Sequence, residues 1–205
     1  MHLSPQPMRI AIIGSGSGTN ARALCSHARD SASTYQVCLV ISTKASAGIM
    51  GVAEEFDVPA CVLEYSETFE QGVLEALLQH RIDVLLLAGL MRHLPMSIVQ
   101  VMHGHVLNIH PSLLPLHGGK GMYGIHVHRA VLAAGDSVTG ATVHVVTEEY
   151  DDGRIVAQDQ LDIRTGESDV ELQERVKALE HSLYPRAVDK FCAELAGRAF
   201  FEQNR

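Results

Sequence analysis

The chain has 205 residues, 46% hydrophobic and 20% charged, with a formal net charge of −8. That length supports one well-buried core, and no apolar run approaches the ~18 residues of a membrane span, so one soluble domain without a membrane partner is expected. The negative charge argues against general affinity for nucleic acid, which points to a small-molecule partner.

Residues 1–7 are short and polar, and the apolar stretch that follows lasts only from Ile10 to Ile13, so no secretory segment is read there. Arg9–Ile13, Val37–Ser42, Ala60–Leu63 and Asp83–Ala88 are short apolar runs between turn signals, with helix-like segments separating them. The unbroken run through Leu86, Leu87 and Ala88 suits a parallel strand covered on both faces. A doubly wound α/β sheet is therefore predicted for the first half. After Asn108 the texture alternates more clearly: Thr139–Thr147 and Ile155–Ile163 flank the turn Glu148-Glu149-Tyr150-Asp151-Asp152-Gly153, which predicts an antiparallel hairpin. Ser168, Asp169 and Glu171 signal a helix start, and Val170, Leu172, Val176, Leu179 and Leu183 continue it as a long closing helix. Cys25, Cys38, Cys61 and Cys192 are scattered without a CxxC pair, as reduced thiols would be, and a cytoplasmic location is expected.

Two motifs carry chemistry. Ile10–Ile13 runs into Gly14-Ser15-Gly16-Ser17-Gly18-Thr19-Asn20 and then into a helix-forming stretch, an arrangement that aims backbone N–H groups and a helix dipole at an anion such as phosphate. Position 19 is Thr where a dinucleotide fingerprint needs its third glycine, no Walker A lysine follows, and the second strand closes without an acidic residue. NAD and ATP are disfavoured, and a glycine turn serving only to start a packed helix remains the plain alternative. Further on, Val106 and Leu107 lead into Asn108-Ile109-His110-Pro111. Residues two apart on a strand share a side, so the Asn108 amide and His110 imidazole should face one way at the sheet edge where open α/β folds bind ligands. A donor amide beside a titrating imidazole suits attack on a carbonyl, and a structural Asn–His pair is the alternative.

Asn108-Ile109-His110-Pro111-Ser112-Leu113-Leu114-Pro115 closely resembles the signature of the folate-dependent formyltransferases, particularly the branch that formylates glycinamide ribonucleotide. The resemblance extends through Ser15–Asn20, Leu87–Arg92, Gly140–His144, Tyr150–Gly153 and Glu180–Pro185, covering nearly all of residues 8–190. It implies a formyltransferase-like Rossmann-type fold, mostly parallel with helices on both faces. It further implies a catalytic domain over 8–196 with terminal tails at 1–7 and 197–205, and 10-formyltetrahydrofolate as co-substrate with no metal. By the same resemblance Asn108 and His110 match the catalytic amide and proton-transferring histidine, and Asp151 the carboxylate that favours the imidazolium. Gly18, Thr19 and Asn20 match the acceptor's phosphate site, and Glu180 the contact to its sugar. Met91, Arg92, His93 and Leu94, with Asn108 and Thr147, Glu148, Glu149, Tyr150 and Asp151, match the folate site. Core packing is the alternative for Met91 and Leu94. The sequence departs from the family at Ser66, where some members carry an arginine near the folate tail, and at Asp152, where a second glycine is common.

Hydrolysis of the same folate to formate is the nearest rival. The chain is expected to lack the N-terminal regulatory domain of such hydrolases, since the first strand starts at Arg9, and the C-terminal RNA-binding domain of the methionyl-tRNA formyltransferases, since it ends at Arg205. A zinc site built on His103/His105 or His126/His128 is disfavoured because the second pair lies in a helical stretch, where residues two apart do not share a face. A non-enzymatic nucleotide-binding module is the alternative of another class. His117–Gly124, with four glycines and Lys120, is expected to be mobile and able to reach over bound substrates. Oligomeric state is not legible in the sequence.

Overall fold

Ile10, Ala11, Ile12 and Ile13 are all fully buried, so the first strand is apolar on both faces, as a strand between two helical layers must be. It opens the computed structural model, which describes residues 6–203. The elements run β1 (Met8–Gly14), α1 (Thr19–His27), β2 (Tyr35–Ser42), α2 (Gly48–Phe56), β3 (Ala60–Val62), α3 (Phe69–Gln79) and β4 (Val84–Leu87), then α4 (Met96–Val101), β5 (Val106–His110), α5 (Ile125–Ala134), β6 (Val138–Val145), β7 (Ile155–Asp162) and α6 (Asp169–Gln203). They form one seven-stranded sheet in the order β3-β2-β1-β4-β5-β6-β7. The pairings among β1 to β5 are parallel, while β6 joins β5 and β7 joins β6 antiparallel. The predicted parallel sheet and C-terminal hairpin are thus both present, with strand limits one or two residues from those read in the sequence.

Alternation along the strands sorts the core into two layers. Ile10, Ile12, Leu107 and Ile109 face one layer, filled from α1 by Leu24, α2 by Ile49 and Val52, α5 by Val127 and Val131, and α6 by Val176 and Tyr184. Ala11, Ile13, Leu85 and Leu87 face the other, covered by Phe69, Val73 and Leu77 of α3 and Ile98 of α4. The 69/73/77 spacing is the one-face repeat that lets a short helix bury a stripe. Burial of each such side chain contributes about 1.5–3 kcal/mol.

On that second side no helix among the described residues packs over β6 and β7. The connection after β5 lies there instead: the Leu114 N–H donates to Thr142 Oγ1 at 3.0 Å, Thr142 Oγ1 donates to the Ser112 carbonyl at 2.6 Å, and Gln158 Nε2 donates to the Leu114 carbonyl at 2.9 Å. Ser168 begins α6 with a reciprocal cap, its N–H bonded to Glu171 Oε2 at 2.9 Å and its Oγ receiving the Glu171 N–H at 3.3 Å. The helix passes Pro185 and continues to Gln203, through residues 197–203 that were read as part of a terminal tail.

Candidate active site

The sheet order reverses at β1, where β2 and β4 lie on opposite sides and the α-helical connections leave in opposite directions. Beyond the carboxyl ends of β1, β4 and β5 lies a cleft of about 560 Å³. Gly18, Thr19, Asn20, Met91, Arg92, His93, Leu94, Asn108, His110, Thr147, Glu149, Tyr150, Asp151 and Glu180 all line it. Glu148 does not: its carboxylate turns away to accept a 3.2 Å bond from Gln100 Nε2. Ser66 is exposed outside the cleft, where its hydroxyl meets Thr68 Oγ1 at 3.1 Å. Leu94 is 2% exposed and packs with α3 and α4, so it is core as well as wall, whereas Met91 is 53% exposed.

At the glycine loop, Gly18 has φ 81°, and a Cβ there would sit 2.7 Å from Ile49 Cα. Only glycine lets the loop lie that close to α2 while turning into α1. No side chain caps α1, and its first intrahelical bond is Arg22 N–H to the Gly18 carbonyl at 2.8 Å. The first-turn N–H groups therefore lie at the cleft wall free of side-chain acceptors, which is the arrangement that receives an anion. Asn20 Nδ2 donates to Glu180 Oε2 at 2.7 Å, tying α1 to α6 across 160 residues. Burial raises the Glu180 carboxyl to about 7, against the pull of that bond and of Lys177.

Asn108, His110 and His144 share the sheet face opposite Leu107 and Ile109, and Asn108 and His144 are direct partners across β5 and β6. Asn108 Nδ2 and His144 Nε2 lie 3.2 Å apart, and His144 Nδ1 donates to the Val145 carbonyl at 3.1 Å. Asn108 keeps an Nδ2 hydrogen for an oxygen in the cleft. His110 donates from Nε2 to the His117 carbonyl at 2.9 Å, since a carbonyl can only accept. Its Nδ1 then faces Asp151 Oδ2 at 3.5 Å, while Asp151 Oδ1 lies 3.5 Å from His144 Nε2. Asp151 Oδ2 also accepts the Gly119 N–H at 2.9 Å.

Burial pulls the His110 imidazole below its ordinary range, and Asp151 and the His117 carbonyl oppose this without reversing it. The desolvation of His110, invisible in the sequence, thus outweighs the opposing pull of Asp151. Burial would by itself raise Asp151, yet His144, His110 and the Gly119 N–H together hold its carboxyl below its usual value. The site thus pairs an imidazole, whose Nδ1 faces a carboxylate at 3.5 Å, with an amide donor. That set is suited to deprotonating an amine while an oxyanion forms on a carbonyl.

The sequence reading missed Gln173 and Lys177, which line the cleft from α6 beside Glu180. Their 173/177/180 spacing, one helix face, was the available signal. It also left the role of His144 open and named His128 only as a metal candidate. His128 is buried and lines the cleft, while His126, two residues earlier on α5, is exposed. Among the described residues no group of three His, Cys, Asp or Glu side chains converges as metal ligands.

A formyl transferase family profile matches residues 8–188. The chain belongs to the formyl transferase family. It is 37% identical over 196 residues to the chloroplastic phosphoribosylglycinamide formyltransferase of Arabidopsis thaliana, covering 93% of this chain and 67% of that protein. It is 37% identical over 194 residues to the trifunctional purine biosynthetic protein adenosine-3 of Bos taurus, covering 91% of this chain but 19% of that longer protein. Among solved structures it is similar to the phosphoribosylglycinamide formyltransferase of Brucella melitensis, with a TM-score of 0.84, 37% identity, and coverage of 92% of this chain and 97% of that one.

Proposed function

We propose that the protein transfers the formyl group of 10-formyltetrahydrofolate to the amine of glycinamide ribonucleotide, giving N-formylglycinamide ribonucleotide and tetrahydrofolate in purine biosynthesis. The observation that carries this reading is the joining, in one cleft, of an uncapped helix N-terminus with the Asn108, His110 and Asp151 group. The acceptor's phosphate lies against Gly18, Thr19 and Asn20, and its sugar against Glu180. The folate is held by Met91, Arg92, His93 and Leu94, by Asn108, and by the Thr147, Glu149, Tyr150 and Asp151 wall, where Tyr150 and His93 pack edge to face with centroids 4.4 Å apart. Glu148 belongs to that loop without facing the cleft.

In this mechanism the amine nitrogen attacks the formyl carbon, a C–N bond forms, and the carbonyl electron pair moves onto oxygen, where the Asn108 amide donates to it. His110 takes the surplus amine proton at Nδ1, and the imidazolium is held between the Asp151 carboxylate and the His117 carbonyl. The proton then goes to the folate nitrogen as the bond from that nitrogen to the formyl carbon breaks. No covalent enzyme intermediate and no metal enters this route. The catalytic domain is assigned to residues 8–196.

No helix among the described residues is long and apolar enough to cross a membrane. A cytoplasmic location is part of the reading, supported by four free cysteines. The small-molecule partners follow from the cleft, and the net charge of −8 disfavours nucleic acid.

The test incubates purified protein with 10-formyltetrahydrofolate, with and without glycinamide ribonucleotide, following tetrahydrofolate and formate separately. Tetrahydrofolate is expected only when the acceptor is present, matched by formylated acceptor. Equal turnover to formate without acceptor would establish the hydrolase instead.

A further inference from the structure

We propose that His117 and Asp136, which do not line the cleft, form a positioning pair that orients the His110–Asp151 dyad. His117 Nε2 donates to Asp136 Oδ2 at 2.6 Å. The partner is fixed in place: Asp136 follows Gly135, whose φ of 73° closes α5, and the Asp136 N–H bonds to the Val131 carbonyl at 3.4 Å. With its ring clipped to that turn, His117 adopts φ 54°, a left-handed conformation uncommon outside glycine. The consequence is the direction of its carbonyl, which receives the His110 Nε2–H at 2.9 Å and so dictates which ring nitrogen of His110 carries the resting proton.

The next two residues carry the same constraint to the other member of the dyad. A Cβ on Gly118 would lie 2.6 Å from Leu114 Cδ2 and 3.3 Å from Asp151 Cβ, so the backbone there rests directly against Asp151. Gly119 then donates its N–H to Asp151 Oδ2 at 2.9 Å with φ 96°. Three consecutive residues thus present one acceptor to His110 and one donor to Asp151, and the side chain that anchors them is His117. Releasing that anchor frees the His117 carbonyl, and His110 loses its fixed tautomer although no atom touching substrate has been changed. Supporting hydrogen bonds of this sort hold reacting groups within the narrow geometry that catalysis needs.

This inference rests on the formyl-transfer reading, in which His110 moves protons, and its test separates the two. His117→Phe, His117→Gln, Asp136→Ala and the double variant His117→Phe/Asp136→Ala are compared with wild type. Three quantities are followed: kcat and KM for 10-formyltetrahydrofolate and glycinamide ribonucleotide, thermal stability, and the 15N resonances of the His110 ring. In His117→Phe and Asp136→Ala, kcat should fall roughly tenfold with both KM values within about twofold of wild type. The double variant should be no worse than either single one, and His117→Gln, which keeps an N–H donor, should regain most of the rate. The His110 nitrogens should move from a fixed Nε2–H pattern toward tautomer averaging in the impaired variants alone. Folded variants that keep wild-type kcat and an unaltered His110 pattern would overturn the proposal, as would a rate loss without any change at the His110 ring. If His117→Phe does not fold, Asp136→Ala carries the same expectations. Absence of formyl transfer by the wild-type protein would remove the functional reading, while the ring resonances would still decide whether the pair sets the tautomer.

Discussion

Two carboxylates in the cleft are driven in opposite directions by their surroundings, a separation that marks different roles. Asp151 is held below its ordinary value by His144, His110 and the Gly119 N–H against the cost of burial, and Glu180 is raised by burial to about 7. Asp151→Asn removes a charge that favours protonated His110, so the His110 pKa, already lowered by burial, falls further. The acidic limb of kcat/KM should move to lower pH and turnover should drop by about tenfold to a hundredfold, within the range of general acid–base contributions. A pH profile identical to wild type would take Asp151 out of the mechanism. Glu180 has the opposite sign. Its folded pKa lies above the unfolded value of about 4.3, so its contribution favours the fold below that value and is lost as pH rises through about 7. Glu180→Gln keeps an acceptor for Asn20 while removing the ionisation. Urea titrations at pH 5 and pH 8.5 should show the variant gaining stability relative to wild type at the higher pH, on the order of 3 kcal/mol. The same substitution should weaken acceptor binding, and a pH-independent stability difference would show that Glu180 ionises in the fold as it does in the unfolded chain.

Elements whose identity depends on local periodicity or capping were legible from the residues, and groups that depend on long-range placement were not. The Ser168/Glu171 box gave the start of α6, and the all-apolar Ile10–Ile13 and Leu85–Leu87 runs gave buried parallel strands, because both signals are local. The side on which Asn108 and His110 project followed from strand alternation, yet the partner across the sheet, His144, required the β5–β6 register. Glu148 sits in the same acidic turn as Asp151, and sequence alone does not distinguish the one that faces Gln100 from the one that faces His110. Tyr184 shows the same limit in the core. Its hydroxyl, carried in from α6, lies 3.1 Å from the carbonyls of both Leu87 and Leu107, joining the helix to the ends of β4 and β5. Nothing in the sequence around position 184 announces two partners about eighty and a hundred residues upstream. Tyr184→Phe leaves those buried carbonyls without this donor and should destabilise the fold by about 1–3 kcal/mol. Lower urea midpoints with an unchanged m-value would be the expected pattern, and an unchanged midpoint would show that the strand carbonyls are satisfied otherwise.

The whole molecule closes its cleft with pieces from both sides of the sheet: the β1–α1 loop, the segment after β4, the connection after β5, the β6–β7 turn and α6. A ligand there should stabilise every element that opens only by global unfolding, by about 2.7 kcal/mol when present at a hundredfold excess over its Kd. Amides of Ile10–Ile13 and Leu85–Leu87 should then exchange about a hundredfold more slowly, wherever in the cleft the ligand sits. The connection from 117 to 124 should behave differently along its length. The Gly119 amide donates to Asp151 Oδ2 and should already be protected in the free protein. Residues 120–124 have fewer ties, with Met122 N–H to the Gly119 carbonyl at 3.1 Å and positive φ at Gly121 and Gly124, and should exchange through local opening. Lys120, Gly121, Met122, Tyr123 and Gly124 nevertheless all line the cleft. If this stretch closes over bound substrates, glycinamide ribonucleotide and a folate analogue together should slow its exchange by a factor comparable to that of the sheet, because local opening would then require ligand release. Slowing confined to the sheet amides at proven saturation, with normal kinetics for Lys120→Ala, would identify residues 120–124 as a connector that borders the cleft without covering it.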